Sequence, residues 1–146
     1  MMFKLLFLLF SSIMVSGENI LLKKGNHLFI TDTINSDTKE FFIAGTRLIT
    51  DKNIYIYINS NGGNVLEGND IIETIKFLDN SGYNVKCIAQ KAYSMAFHIL
   101  QHCPKRLITE TSSLMQHQIK LAINDNYENI KSYLVQDVTQ QAYFYL

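Results

Sequence analysis

A chain of 146 residues, 47% of them apolar, has material for one hydrophobic core and not for two. Its 13 Lys and Arg balance its 13 Asp and Glu at zero formal charge, and the two signs are interspersed along the chain. That excludes the basic face a phosphate-backbone binder needs, so nucleic acid is not an expected partner.

The first element is a leader. Lys4 precedes the apolar run 5–10, which continues through Ser11 and Ser12 to Ile13, Met14 and Val15. Val15, Ser16 and Gly17 supply the small residues that suit cleavage before Glu18. The expectation is a secretory signal over residues 1–17 and one domain over 18–146. A membrane anchor formed by residues 3–15 is the alternative, although a span takes about 20 apolar residues. An uncleaved apolar arm is the bland one. With the signal removed no membrane span is expected, and the chain belongs outside the cytosol or in a secretory lumen. In that oxidising setting Cys87 and Cys103 are compatible with one disulfide, and equally with two buried thiols.

Downstream, strands alternate with helices. Residues 27–30 form a short strand, and apolar residues at helical spacing from Phe41 to Ile49 place a helix over 38–48. In 53–59, Ile54, Ile56 and Ile58 point to one face while Tyr55 and Tyr57 point to the other, a strand covered on both sides as in a parallel sheet. Gly62 and Gly63 end it. Val65, Leu66, Ile71, Ile72, Ile75 and Leu78 then form a helical stripe closed by Gly82 in the position a C-terminal cap favours. A strand over 85–89, a helix over 94–102, short strands over 106–109 and 113–118, and a long helix over 127–145 complete the chain. This order argues for an α/β fold with a mostly parallel sheet.

Three positions carry chemistry. Ser94 sits at a strand-to-helix junction, Gly62 and Gly63 lie before it, and His117 follows it. In that order they supply a nucleophile, an oxyanion hole and a base. Each also has an ordinary structural role: serine caps helices, paired glycines make turns, and a histidine in a strand is commonly just hydrogen-bonded. His98 and His102 are four apart on one helix face with Cys103 adjacent, but no fourth ligand stands at a telling spacing, so neither a metal nor another cofactor is expected. His98 is also a rival base, one turn beyond Ser94.

Taken together, these segments resemble the Clp protease proteolytic subunit (ClpP) family of the wider ClpP/crotonase fold. Residues 54–63 resemble its strand and glycine loop, the Gly68 helix follows suitably, residues 87–97 resemble its nucleophile turn, and residues 114–118 resemble the strand that carries its histidine. The resemblance covers roughly residues 25–146. It implies a ClpP/crotonase-like α/β fold of repeated β-β-α and βαβ units with a mostly parallel sheet, short at the C-terminal end. It further implies a serine-type endopeptidase: Ser94 as nucleophile, His117 as base, and the backbone N–H groups of Gly63 and Met95 as oxyanion donors. Expected partners are a peptide or unfolded-protein substrate and further subunits, either a homo-oligomeric ring or a related ClpP-like subunit, joined through the long final helix with its stripe of Ile130, Tyr133, Leu134, Val138, Ala142, Tyr143 and Leu146.

Three departures oppose this. Ala96 stands where the family usually has glycine, Tyr93 replaces a small residue, and both are expected to crowd the turn. The family's orienting aspartate lies beyond the long helix, and Asp125 and Asp137 do not occupy a matching position. The alternative is therefore a catalytically degenerate assembly or interaction subunit. A crotonase-type acyl-CoA enzyme would rely on Glu67, expected on an exposed helix face, and a Ser-Lys peptidase on Lys91 or Lys120. Neither arrangement gives Ser94 and His117 their paired purpose.

Overall fold

Alternation at Ile54, Ile56 and Ile58 builds the centre of the molecule: all three are fully buried. In the computed structural model, which describes residues 11–15 and 18–117, the elements run β1 (Ser11–Val15), β2 (Glu18–Leu22), β3 (His27–Ile34), α1 (Ser36–Thr46), β4 (Asn53–Gly63), α2 (Val65–Asn80), β5 (Asn84–Tyr93), α3 (Met95–Gln101) and β6 (Lys105–Met115). β3, β4, β5 and β6 form a four-stranded sheet in that spatial order, each parallel to the next. One helix connects each neighbouring pair, which is the connection a parallel pair requires. The fold is α/β and ClpP/crotonase-like, as the sequence leads one to expect. The expected long helix over 127–145, Gln118, Lys120, Asp125, Asp137 and leader residues 1–10 and 16–17 lie outside the described residues.

One face of the sheet carries the main core. Phe42 of α1, Ile71, Ile75 and Leu78 of α2, and Ile99 and Leu100 of α3 pack against the isoleucines of β3 and β4. Burying each such side chain contributes about 1.5–3 kcal/mol. The stripe predicted for α2 is buried at Ile71, Ile72, Ile75 and Leu78, but Leu66 in the first turn is exposed. In α1 only Phe42 is buried, while Phe41, and Leu48 just past the helix end, are exposed. On the opposite face Ile20 and Leu22 of β2 cover Ile88, with Tyr55, Tyr57 and Leu107 packed around them. β2 pairs antiparallel with β1, so residues 11–15, within the stretch read as a leader, form one arm of a hairpin.

Each helix start has a local cause. Asn35 precedes α1 and its Oδ1 accepts from Thr38 N–H at 2.9 Å. Asn64 precedes α2 in extended conformation and its Oδ1 accepts from Leu66 N–H at 2.8 Å and Glu67 N–H at 3.3 Å. Both satisfy amides that a helix leaves unpaired. At the far end of α2, Gly82 adopts φ 83° just past the last turn, where a left-handed residue is needed.

The sequence suggests two short strands, over 106–109 and 113–118, whereas the structure has one, β6, with an excursion. Ile108 pairs with Ala89 and the next pair is Ser113 with Lys91. The intervening segment is held by hydroxyls: Ser112 Oγ donates to Ala89 carbonyl and accepts from Thr109 N–H. Polar residues that read as a turn are thus bound to the sheet.

Cys87 of β5 and Cys103, just past α3, form a disulfide with a Cα–Cα distance of 6.0 Å. They are the chain's two cysteines, and both are buried.

Candidate active site

Where strands of a parallel sheet end at a common edge, the turns into the following helices converge there. β4 ends at Gly63 and β5 at Tyr93, in adjacent strands whose last paired residues are Ser60 and Ala92. The chain leaves β5 through Ser94, whose backbone sits at φ 53°, ψ −121°. For a residue with a Cβ this conformation costs on the order of 1–3 kcal/mol. Its side chain makes no capping hydrogen bond to α3. The commonest ordinary role for a serine at this position is therefore not the one it performs. A strained serine on a sharp strand-to-helix turn is the geometry of a nucleophile elbow, which lifts the hydroxyl clear of the backbone.

The surroundings hold this turn in place. Ser94 N–H donates to the Met115 carbonyl at 2.8 Å, and the Ser94 carbonyl accepts from His98 N–H at 3.1 Å. Gly62, at φ 92°, lies directly beneath: a Cβ there would come within 2.6 Å of the Tyr93 carbonyl oxygen, 2.8 Å of Ser94 Cβ and 2.9 Å of Met95 N. Only glycine fits that contact. Gly68 serves the neighbouring residue similarly, since a Cβ on it would meet the Met95 side chain at 2.4 Å. Ser60, fully buried, accepts from Gly62 N–H at 3.1 Å and donates to the carbonyl of Asp32, itself at φ 63°. Sequence reasoning missed Gly62 and Ser60 as supports of the turn. A polar Asn-Ser-Asn run immediately after an apolar strand was the available signal.

Tyr93 has a partner of its own across the sheet: its hydroxyl reaches Ser113 Oγ of β6 at 2.6 Å. Ala96 is also accommodated, fully buried in the first turn of α3. Met95 follows Ser94 directly and is the first residue of α3. His117 lies exposed two residues past the end of β6, just beyond the Met115 whose carbonyl binds Ser94.

The rival residues have other engagements. His98 is half-buried, and burial, with help from His102 and Lys76, lowers its pKa to about 4. The rings of His98 and His102 stand 4.8 Å apart. Cys103 is committed to the disulfide, so the His98, His102 and Cys103 trio cannot act as metal ligands together. Glu67 is not on an open helix face: Lys39 Nζ of α1 holds its carboxylate at 2.6 Å. Lys91 stands in β5 opposite Asn59 and Ser113, three residues before Ser94.

With this geometry in hand, the family comparison is decisive: the Clp protease model matches residues 15–141, most of the chain. The chain belongs to the Clp protease family. Membership brings a ClpP-like protease domain and peptide hydrolysis as the family activity. The Clp protease match spans β2 through β6 and so includes both glycines, Ser94 and His117. Among the described residues, no helix of this Clp protease domain is long and apolar enough to cross a membrane.

Proposed function

We propose that this ClpP-like domain is a serine endopeptidase acting on peptides or unfolded polypeptides, with Ser94 as nucleophile, His117 as general base, and the N–H groups of Gly63 and Met95 as the oxyanion hole. The observation that carries it is the backbone of Ser94: a strained positive φ, with the hydroxyl unused as a cap. Such strain persists only where the surroundings enforce it, and it concentrates at sites of chemistry.

The assignment of the donors follows from what is already engaged. Gly62 N–H is taken by Ser60 Oγ, and Asn64 N–H by the Ile34 carbonyl of β3 at 2.8 Å. The Gly63 amide lies between these two engaged ones, at the end of the strand that neighbours β5 and its Ser94 turn. Met95 N–H is at the start of α3, where a helix leaves its first amides unpaired. In this scheme His117 takes the Ser94 proton as Oγ attacks the peptide carbonyl, the two amides hold the oxyanion, and His117 returns the proton to the departing amine. Water then hydrolyses the acyl-serine by the same steps in reverse. Losing one oxyanion donor typically costs about 10²–10³ in rate, so Gly63 matters nearly as much as the base.

The chain acts in an oxidising compartment, as the Cys87–Cys103 disulfide supports, since such bonds persist chiefly outside the cytosol. Further subunits join it through the apolar residues that recur in the sequence between Ile130 and Leu146. A fluorophosphonate probe tests the chemistry. Ser94 is expected to carry the label, with labelling lost in Ser94→Ala and strongly slowed in His117→Ala. Absence of label on the folded, assembled protein overturns the peptidase assignment and leaves the degenerate assembly subunit.

A further inference from the structure

The disulfide does more than join two core positions. Cys87 lies in β5 and Cys103 follows α3, with a sequence separation of 16, so the bond closes a covalent ring around the end of β5, the Ser94 turn and the whole of α3. We propose that Cys87 and Cys103 are positioning residues for Ser94, and that their oxidation sets the peptidase in its working geometry, so that activity is tied to folding in an oxidising compartment. This rests on Ser94 being the nucleophile.

The need for such a tie arises from α3. It has only seven residues, far below the roughly 12–15 at which a helix begins to hold itself together. Yet this helix must maintain the strained conformation at its first turn, through the bond from His98 N–H to the Ser94 carbonyl. Its opposite end has two anchors. One is Arg106, whose Nη1 donates to the carbonyls of Gln101 and Cys103, both at 3.1 Å. That guanidinium contact is largely open to solvent at Gln101. The other is the disulfide, which is covalent and lies in the core with Cys87 fully buried and Cys103 2% exposed. Removing it leaves a short helix held by packing and one arginine, and so a less firmly held partner for the strained Ser94 turn.

Reduction is a two-electron step. A dithiol such as dithiothreitol gives up two hydrogens and closes to its own disulfide, while the Cys87–Cys103 bond breaks and each sulfur takes up one electron and one proton. Because both sulfurs are buried, exchange waits on local opening, so the folded chain keeps the oxidation state in which it folded unless a reductant is given time to act. A copy that folds among reducing thiols then carries a slack turn and is a poor peptidase; a copy that folds in an oxidising lumen is a competent one.

The test compares the full-length oxidised protein, the protein reduced with dithiothreitol, and Cys87→Ala/Cys103→Ala, at a temperature where far-ultraviolet circular dichroism shows each to be folded. Intact mass verifies the redox state. A misplacement of 1 Å costs about 10²-fold, so a partial relaxation is expected to slow fluorophosphonate labelling and lower kcat by about tenfold with KM little changed. Reoxidation restores the wild type and leaves the double variant slow. Equal labelling rates and kcat in oxidised and reduced protein overturn the proposal while leaving the peptidase assignment intact. Should the oxidised protein take no label, the peptidase assignment fails, and hydrogen exchange at the His98 amide decides the rest. Faster exchange on reduction supports the positioning role, and unchanged exchange removes it. Reduced wild type serves where the double variant does not fold.

Discussion

Two helices in this molecule begin alike in sequence and differently in structure. α2 and α3 each follow a strand through a small polar residue, Asn64 and Ser94. Asn64 is extended at φ −67°, ψ 131°, and its side chain satisfies two amides of its helix. Ser94 is at φ 53°, ψ −121°, and its side chain satisfies none. The first start is built for stability. The second keeps a hydroxyl available at the expense of backbone strain, and the difference separates a structural cap from a reactive residue of similar size and polarity.

Substitutions at the two starts separate these roles. Ser94→Gly has the largest effect on chemistry, abolishing labelling and peptide hydrolysis, yet it is expected to raise stability. Relief of about 1–3 kcal/mol of strain, less about 0.5–1 kcal/mol for glycine's extra chain entropy, leaves roughly 1 kcal/mol in favour of the variant. A lowered midpoint in urea for this variant sinks the claim of strain. Gly62→Ala attacks the same turn from below. Its Cβ would meet the backbone atoms Tyr93 O and Met95 N at under 3 Å, and a main chain cannot swing aside as a long side chain can. Overpacking of this kind costs about 1–3 kcal/mol, and labelling is expected to fall by about 10²-fold. Wild-type labelling in Gly62→Ala shows that the turn has slack.

Asn64→Ala is the counterpart at the structural start, with an expected loss of about 1 kcal/mol by denaturant titration and with labelling retained. If it silences labelling instead, the two helix starts are not separate in function. The effect confined to acid conditions is on the α3 side. His98 titrates near 4 in the folded protein against about 6.5 when exposed, chiefly because burial disfavours its charge. Between those values the unfolded chain binds a proton that the native one does not, so stability is complete above about pH 6.5 and declines toward pH 4. His98→Gln is expected to flatten that part of the thermal midpoint against pH. An unchanged profile assigns the decline to other groups.

Much of this arrangement was legible in the sequence because it rests on periodicity. The isoleucines of β4 and the buried face of α2 at Ile71, Ile72, Ile75 and Leu78 repeat at the spacing their element dictates, and Gly82 marks an end that only a left-handed residue makes easily. What escaped was set by contacts between distant segments. β3 runs on past Ile30 to Ile34, although Asp32 at φ 63° interrupts the pattern that would announce it. The Thr109 to Ser112 stretch looks like a turn until Ala89 supplies a carbonyl for Ser112. Tyr93 looks like an obstruction until Ser113 gives its hydroxyl a destination. For the site, the order of glycines, serine and histidine could be read directly. The conformation of Ser94 could not, since local preference alone makes such a serine a cap.

One hydrogen bond has a mechanical consequence. Ser94 N–H to the Met115 carbonyl fastens the turn that presents the proposed nucleophile to the strand end that leads, two residues on, to the proposed base. Among the described residues β6 stands at one edge of the four-stranded sheet and is exposed along much of its length. Because it is coupled at Met115, a displacement of the strand there is transmitted to the Ser94 turn.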